Sequence, residues 1–236
     1  AYCAEGFVCQ QNADGTFGIV KANAGLSGDG TEASPYLINN VADLVLFRNS
    51  VNAGEATYSA PGVWVALAAD IDLAGENWVG IGSATAEHGF MGNFDGKGYT
   101  IKNLTITDPA LDSDGYAYAG LFAVTEGTDK NNQNTIKNLI IENVTINTTG
   151  HIVSAAIAYP YYTIVDNIKV CGDININGGN YTAGVLAYTR RCVNASNLAI
   201  TGKDGSSVNG SQTVGGVISD IQMNGGLVAD YKYFSA

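Results

Sequence analysis

Residues that could act as catalytic acids, bases or metal ligands are sparse and scattered in this chain. A glycosidase or lyase needs gathered carboxylates, yet 16 of the 22 acidic residues precede residue 135 and the others follow singly. His88 and His151 lie far apart, and residues 112–115 (DSDG) begin like a calcium loop but lack its later ligands. We therefore predict no catalytic residue, no metal site and no cofactor, and favour a non-enzyme while leaving enzymatic activity open.

Tyrosines point instead to the chemistry of ligand binding. Seven of the 13 lie between residues 116 and 188, beside a recurring motif of small residues: Tyr116, Tyr118, Tyr159, Tyr161, Tyr162, Tyr181 and Tyr188. A tyrosine has an apolar ring and a polar tip, which suits stacking on sugars or contact with proteins. These residues predict a binding surface along one flank. The alternative is that they only cover half-exposed strand edges.

Four cysteines lack the close spacing and histidine partners of a zinc site, and disulfides are the better interpretation. Disulfides would imply an oxidising compartment. Of the three possible connectivities we predict Cys3–Cys9, which would close a short turn, and Cys171–Cys192, whose separation is close to the path of one repeat.

Charge and hydropathy restrict the classes of partner that this chain is expected to bind and the location in which it is expected to act. Eleven basic and 22 acidic residues leave a net charge of −11, which would repel a nucleic acid or an anionic membrane surface. No apolar run is long enough for a transmembrane helix, and the start of the sequence indicates a removed signal or a fragment of a longer chain. We expect a secreted or bacterial cell-surface protein, as a monomer or as part of a longer surface chain.

Two motifs recur in the same order from about residue 101. The first is present at residues 101–106, 136–141, 165–170 and 195–200, and the second at 119–122, 155–158, 183–186 and 215–218. In-phase repetition predicts a solenoid, and the 30 glycines among many strand-forming residues favour short strands over helices. We predict an all-β fold, a right-handed single-stranded parallel β-helix.

One asparagine stands at the centre of each first motif: Asn103, Asn138, Asn167 and Asn197. The apolar positions change parity after it, which predicts a bend in the strand. Because asparagine enters the left-handed region more readily than other non-glycine residues, we expect the four amides to stack as one ladder. Unrelated surface asparagines would not keep this register. The same alignment predicts an ion pair between Lys137 and Asp166 on successive turns.

The residues before the repeat carry different signals. Residues 1–24 predict a short β-hairpin or the tail of a preceding domain, because Asp14-Gly15 suits a tight turn. In the domain 25–236 one amphipathic helix is predicted at about 41–53, capped by Asn40, with Leu44, Phe47 and Val51 on its apolar face. Such a helix would cover the open end of the solenoid, where backbone groups lack partners.

Several segments resemble bacterial cell-surface proteins with GLUG-type repeats. They are LAADIDL at 67–73, WVGIG at 78–82, FMGNFDGKG at 90–98 and AGLF at 119–122, and the resemblance covers about residues 28–220. It implies a β-helix at the cell surface, often with an adhesive role. The second repeat departs from the motif, with Ala156 in place of glycine.

Three functions are compatible with these observations. The first is an extracellular or cell-surface binding and adhesion module for a glycan or for a host surface or matrix protein. The second is a polysaccharide lyase or glycoside hydrolase on a β-helix scaffold, and the third a non-catalytic stalk of a larger surface protein. The shortage of acids and histidines, together with the resemblance, favours the first.

Overall fold

The structure, a computed structural model, describes residues 7–11, 17–21, 25–82, 89–107, 109, 116–191, 193–222 and 229–230, and only the backbone of 7–11, 17–21, 222 and 229–230. The two helices are α1 (Val41–Asn52) and α2 (Ala56–Ser59). In chain order the strands are β1 (Phe7–Gln11), β2 (Phe17–Lys21), β3 (Tyr36–Ile38), β4 (Trp64–Leu67), β5 (Ile71–Asp72), β6 (Asn93–Asp95), β7 (Thr100–Ile106), β8 (Tyr118–Ala119), β9 (Phe122–Glu126), β10 (Asn134–Asn147), β11 (Ile152–Ser154), β12 (Ile157–Tyr161), β13 (Thr163–Asn177), β14 (Tyr181–Ala183), β15 (Leu186–Arg190), β16 (Asn194–Ser196), β17 (Ala199–Gly202), β18 (Ser207–Asn209), β19 (Thr213–Gly215), β20 (Ile218–Gln222) and β21 (Ala229–Asp230).

Parallel pairing between successive turns builds a β-solenoid of about six turns, as the repeats predict. Sheet 1 contains β3–β7, β10, β13, β16–β18 and β21, sheet 2 contains β8, β11, β14 and β19, and sheet 3 contains β9, β12, β15 and β20. Each complete turn visits the three sheets in that order. Ile136 pairs with Val165 and Val144 with Ile174, so one turn takes about 30 residues. Separately, β1 and β2 pair antiparallel, as predicted for a hairpin.

The core is a continuous apolar column inside the sheets. Near its N-terminal end it contains a cluster of phenylalanines, with ring centres of Phe94 and Phe122 5.2 Å apart. Phe90 lies 5.6 Å from Phe122, and Phe47 of α1 lies 5.3 Å from Phe90. Smaller Ile, Val and Leu side chains fill the later turns. Burial of this column is the main stabilising contribution to the fold.

Helix α1 covers the N-terminal end of this column. Asn40 caps it, its Oδ1 accepting from the Asp43 amide at 3.0 Å, and Leu44, Phe47 and Val51 are buried against the core, all as predicted. At the other end of the helix, Asn52 donates to the Gly80 carbonyl at 3.0 Å and accepts from the Gly82 amide at 2.8 Å. The helix therefore supplies both apolar cover and hydrogen bonds to backbone that has no preceding turn to pair with.

The strands of sheet 1 bend at asparagines in the left-handed conformation, but in two columns rather than one. Asn138, Asn167 and Asn197 have φ of 53° to 56° and occupy the first column, where Asn167 Nδ2 donates to Asn138 Oδ1 at 2.9 Å. Asn103 does not join them: it lies below Asn143, whose Nδ2 is 3.3 Å from Asn103 Oδ1. The predicted four-residue ladder is therefore wrong for Asn103. Strand β10 contains both bends, at Asn138 and Asn143. The sequence motif aligns Asn103 with Asn138, whereas the strand register places it beside Asn143.

The ladder register also places Lys137 opposite Asp166, but the predicted ion pair does not form. Lys137 Nζ lies 3.5 Å from Glu32 Oε1 and 4.5 Å from the centre of the Trp64 ring. Asp166 Oδ1 instead accepts from Ser196 Oγ at 2.6 Å and Asn197 Nδ2 at 2.8 Å. Each of the two side chains therefore contacts residues on the turn that lies away from the other.

The cysteine prediction is corrected at one position. Cys171 is a free, half-buried thiol on β13, and its neighbour on the following turn is Thr201, so the predicted bond to Cys192 is not formed. The path of the turn, rather than the separation in sequence, decides which residues stack. Cys192, Cys3 and the side chain of Cys9 lie outside the described residues.

Candidate binding surface

Sheets 2 and 3 present the tyrosines on one side of the solenoid. Tyr118 and Tyr181 belong to β8 and β14 of sheet 2, and both are aligned with Ile152 of the turn between them. Tyr159 and Tyr161 belong to β12 of sheet 3, and Tyr188 belongs to β15 on the next turn. The positions recur from turn to turn because parallel in-register pairing repeats each side chain direction.

Ring contacts join six of the seven predicted tyrosines into one cluster. Tyr159 is at its centre, with ring centres 5.7 Å from both Tyr118 and Tyr188 and 6.4 Å from Tyr161. Tyr188 is nearly parallel to Tyr159, at 16°, and lies 4.5 Å from Tyr181. We call this cluster the tyrosine surface and define it by Tyr118, Tyr159, Tyr161, Tyr162, Tyr181 and Tyr188.

The tyrosine surface has its own apolar floor, separate from the core. Ile152, Ala158 and Ala187 are buried, and four of the rings pack against them. Small alanines let the rings lie close to the sheet, so every ring of the surface is half-buried and keeps an edge in solvent. Tyrosines held in this way lose little conformational freedom when a ligand binds, because their side chains are already ordered by packing.

Tyr116, the remaining predicted site residue, lies at the margin. Its ring packs edge-on against the imidazole of His151, with centres 4.6 Å apart, and it is 44% exposed.

Two arginines border the tyrosine surface and were not predicted from sequence. Arg190 ends β15, and its guanidinium lies 5.5 Å from the centre of the Tyr188 ring. Arg191 follows, 5.5 Å from the Tyr161 ring centre, with Nη1 3.5 Å from Tyr162 Oη. Hydrogen bonds to Tyr159 and to Tyr162 raise the pKa of Arg190 and of Arg191, respectively. The signal available in the sequence was an arginine pair two residues after a site tyrosine, in a chain with few basic residues.

Acidic residues approach the same surface from the turns on either side. Glu126 is aligned with Tyr161 on the preceding turn, and burial raises the pKa of its carboxyl group. Asp220 is aligned with Tyr188 on the following turn. Burial is also the main cause of the raised pKa of the Tyr188 hydroxyl. The surface thus combines aromatic rings, two cations and two flanking carboxyl groups.

Potential metal ligands lie apart from one another in the part of the chain that the structure describes. No group of three or more potential metal ligands is present among those residues. Asp70 and Asp72, adjacent on the outer face of the first turns, bind protein groups: Asp70 accepts from the Thr100 amide at 2.9 Å and Asp72 from Asn103 Nδ2 at 2.7 Å. These hydrogen bonds hold the pKa of both carboxyl groups below the ordinary value.

Two concave regions lie away from the tyrosine surface. One, of about 220 Å³, lies between α2 and residues 89–91 and is lined in part by Glu55, Ser59 and Met91. The other, of about 320 Å³, is lined by Ile174, Ile200 and Val208 near the last turn. Neither is lined by a tyrosine of the cluster. Among the described residues, no helix has the length and apolar character required to cross a membrane.

Comparison with known proteins extends this picture. No protein-family model matches the chain. In an alignment of 168 positions that covers 67% of the chain, the sequence is 34% identical to halomucin of Haloquadratum walsbyi, and the chain spans about 2% of the length of that protein. A solved structure of a candidate immunoglobulin A1 protease from Bacteroides ovatus aligns with a TM-score of 0.54 at 17% identity, covering 86% of this chain and 66% of that one.

The structural similarity establishes the fold. At 17% identity it carries no statement about activity. The resemblance to GLUG-type repeats stays a prediction.

Proposed function

We propose that this chain is a glycan-binding module of a surface or secreted protein. The observation that carries the proposal is the tyrosine surface, where four strands from three successive turns bring half-buried aromatic rings side by side. A sugar ring can pack its C–H face on such rings while its hydroxyl groups bond to the tyrosine tips, as aromatic side chains with a polar handle allow. An open face of this kind fits a chain of sugars better than a small enclosed ligand.

The surface or secreted location has a separate basis. The similarity to part of halomucin supports it, and the strand-rich solenoid with few charged residues is compatible with it. The negative net charge of −11 disfavours nucleic acid, which needs positive charge along an extended surface, whereas a local pair of cations can still bind single acidic groups.

A glycan array followed by titration of the best ligand tests the proposal. Wild-type protein should retain at least one glycan, and Tyr159→Ala and Tyr188→Ala should each weaken binding by about 2- to 13-fold, equivalent to about 0.5–1.5 kcal/mol for one aromatic contact. Tyr99→Ala is the matched control, because Tyr99 is 38% exposed and lies outside the tyrosine surface. Circular dichroism and a thermal melt of each variant establish that it is folded.

Three outcomes would count against the proposal. Binding that survives both substitutions would place the ligand elsewhere on the solenoid. If a surface protein were still retained after its glycans had been removed, the partner would be a protein. Release of reducing ends or unsaturated sugars from a bound polysaccharide would make the chain an enzyme.

A further inference from the structure

We propose that the tyrosine surface selects acidic glycans, whose carboxylate or sulfate groups bind Arg190 and Arg191 while the sugar rings lie on the tyrosines. This inference rests on the proposed function and names the class of glycan. The juxtaposition that supports it is a pair of adjacent guanidinium groups, each within 5.5 Å of a tyrosine ring centre, at the edge of an aromatic face.

The first argument comes from how cations are used elsewhere in this chain. Four lysines, Lys97, Lys102, Lys137 and Lys203, lie within 4.0 Å of a carboxylate oxygen. With 22 acidic and 11 basic residues, a carboxylate partner is easily available to a cation. Within the described part of the chain, Arg190 and Arg191 form no ion pair and contact tyrosines instead. Lys130, Lys169 and Arg48, which lies over the Trp78 ring, are also without an ion pair there, but only Arg190 and Arg191 are adjacent and share one aromatic face. Their positive charge is therefore not neutralised by the protein, although the acidic residues Glu126 and Asp220 are on neighbouring turns.

The second argument is the backbone at Arg191. It has φ of +47°, and Tyr162, in the corresponding corner of the preceding turn, has φ of +48°. The left-handed conformation is unfavourable for such side chains, and in the described part of the chain every other residue that adopts it is glycine or asparagine, except Lys97 in the turn after β6. Arg191 and Tyr162 occupy two successive corners beside the tyrosine surface, where glycine or asparagine would be less strained. This indicates that their side chains make a contribution that glycine or asparagine could not make.

The third argument is the geometry of the donors. A guanidinium held over a ring keeps its edge free to donate two parallel hydrogen bonds, which match a carboxylate and also suit a sulfate. Packing against Tyr188 and Tyr161 holds the two groups in place before a ligand arrives, so less freedom is lost on binding. Acidic sugars thus find both a face for the ring and a partner for the charge.

Two matched pairs of polymers test this selectivity by affinity electrophoresis or titration calorimetry. Polygalacturonate is compared with its fully methylated ester, and dextran sulfate with dextran, so that each pair shares a sugar backbone and one member lacks the charged groups. Wild-type protein should bind at least one acidic polymer about tenfold more tightly than its neutral counterpart, and added salt should reduce the difference. The two pairs distinguish a carboxylate from a sulfate ligand.

The double variant Arg190→Gln/Arg191→Gln should lose this preference. Lys203→Gln is the control, because Lys203 is exposed and paired with Asp173 on sheet 1. Arg191→Gly guards against misfolding, since it relieves the left-handed strain and should remain folded, with the preference reduced. Equal binding to acidic and neutral polymers, an unchanged preference in the double variant, or no binding to any of the four polymers would overturn the inference. A neutral glycan retained on the array and lost in Tyr159→Ala would leave the proposed function intact in each case.

Discussion

Replacing Asn138 tests whether the asparagine bends stabilise the solenoid. Asn138 is the first member of the first column, with φ of +56°. Its Nδ2 donates to Asp95 Oδ1 at 3.0 Å, and its Oδ1 accepts from Asn167 Nδ2 at 2.9 Å. Alanine removes both hydrogen bonds and must also adopt a conformation that its Cβ disfavours.

The expected cost follows from these two contributions. A left-handed non-glycine residue is unfavourable by about 1–2 kcal/mol. Each lost side-chain hydrogen bond contributes about 0.5–1.5 kcal/mol, and Asp95 keeps a second donor in the Lys97 amide at 2.8 Å. Together, Asn138→Ala should lower the free energy of unfolding by about 2–4 kcal/mol. Asn138→Gly loses the same hydrogen bonds without the conformational strain, and it should be about 1 kcal/mol more stable than the alanine variant.

Urea denaturation followed by circular dichroism measures both variants, with an unchanged slope as the sign that only stability has changed. Asn147→Ala is the control, because Asn147 is exposed at the end of the same strand in ordinary extended conformation and should matter by less than about 0.5 kcal/mol. A wild-type midpoint for Asn138→Ala would refute the role of the column. Equal midpoints for the alanine and glycine variants would refute the contribution of the left-handed backbone.

Two further predictions concern stability. Because hydrogen bonds lower the pKa of Asp70 and Asp72 in the folded state, their stabilisation is present above the ordinary aspartate pKa of 3.8 and is lost as the pH falls through the folded values. The urea midpoint should therefore decrease when the pH is lowered below about 4, and it should decrease less in the Asp70→Asn/Asp72→Asn variant. A midpoint independent of pH would contradict this. Asn52→Ala removes the hydrogen bonds from α1 to Gly80 and Gly82 and should lower stability by about 1–3 kcal/mol in a thermal melt, whereas exposed Asn49→Ala should not. Equal melting of these two variants would show that the helix covers the end through apolar contacts alone.

The fold was predictable because each copy of the repeat independently predicts the same local structure. Two motifs in phase leave little freedom for a different topology, and Leu44, Phe47 and Val51 have the spacing of a helix face that must be covered. The pairing of equivalent positions was harder. The motif containing Asn103 resembles both bends of β10, and the choice between Asn138 and Asn143 depends on where inserted loops lengthen the turn. Only the ladder register resolves such an ambiguity.

Pairwise contacts were less predictable than the register for a physical reason. A side chain facing solvent chooses among neighbours on two adjacent turns and on nearby loops, and differences of less than about 1 kcal/mol decide the choice. Lys137 accordingly turns to Glu32 and Trp64, which are distant in sequence and not part of the aligned motif. Cys171 illustrates the same point, because separation along the chain says little about which position of the next turn lies beside it.

The sequence shows which tyrosines the candidate site contains, but it does not show that they assemble into one surface. The tyrosines were visible in the sequence, yet their assembly depends on sheets 2 and 3 presenting the side chains of β8, β12, β14 and β15 toward a common floor of small residues. Arg190, the last residue of β15, and Arg191, at the corner that follows, both lie beside the rings because the chain turns at this point. The same parallel register that stacks the asparagines into columns also brings tyrosines of successive turns together, so each added turn can extend the face along the solenoid axis. For this reason the ligand that we propose is a polymer with repeating units and not a single sugar.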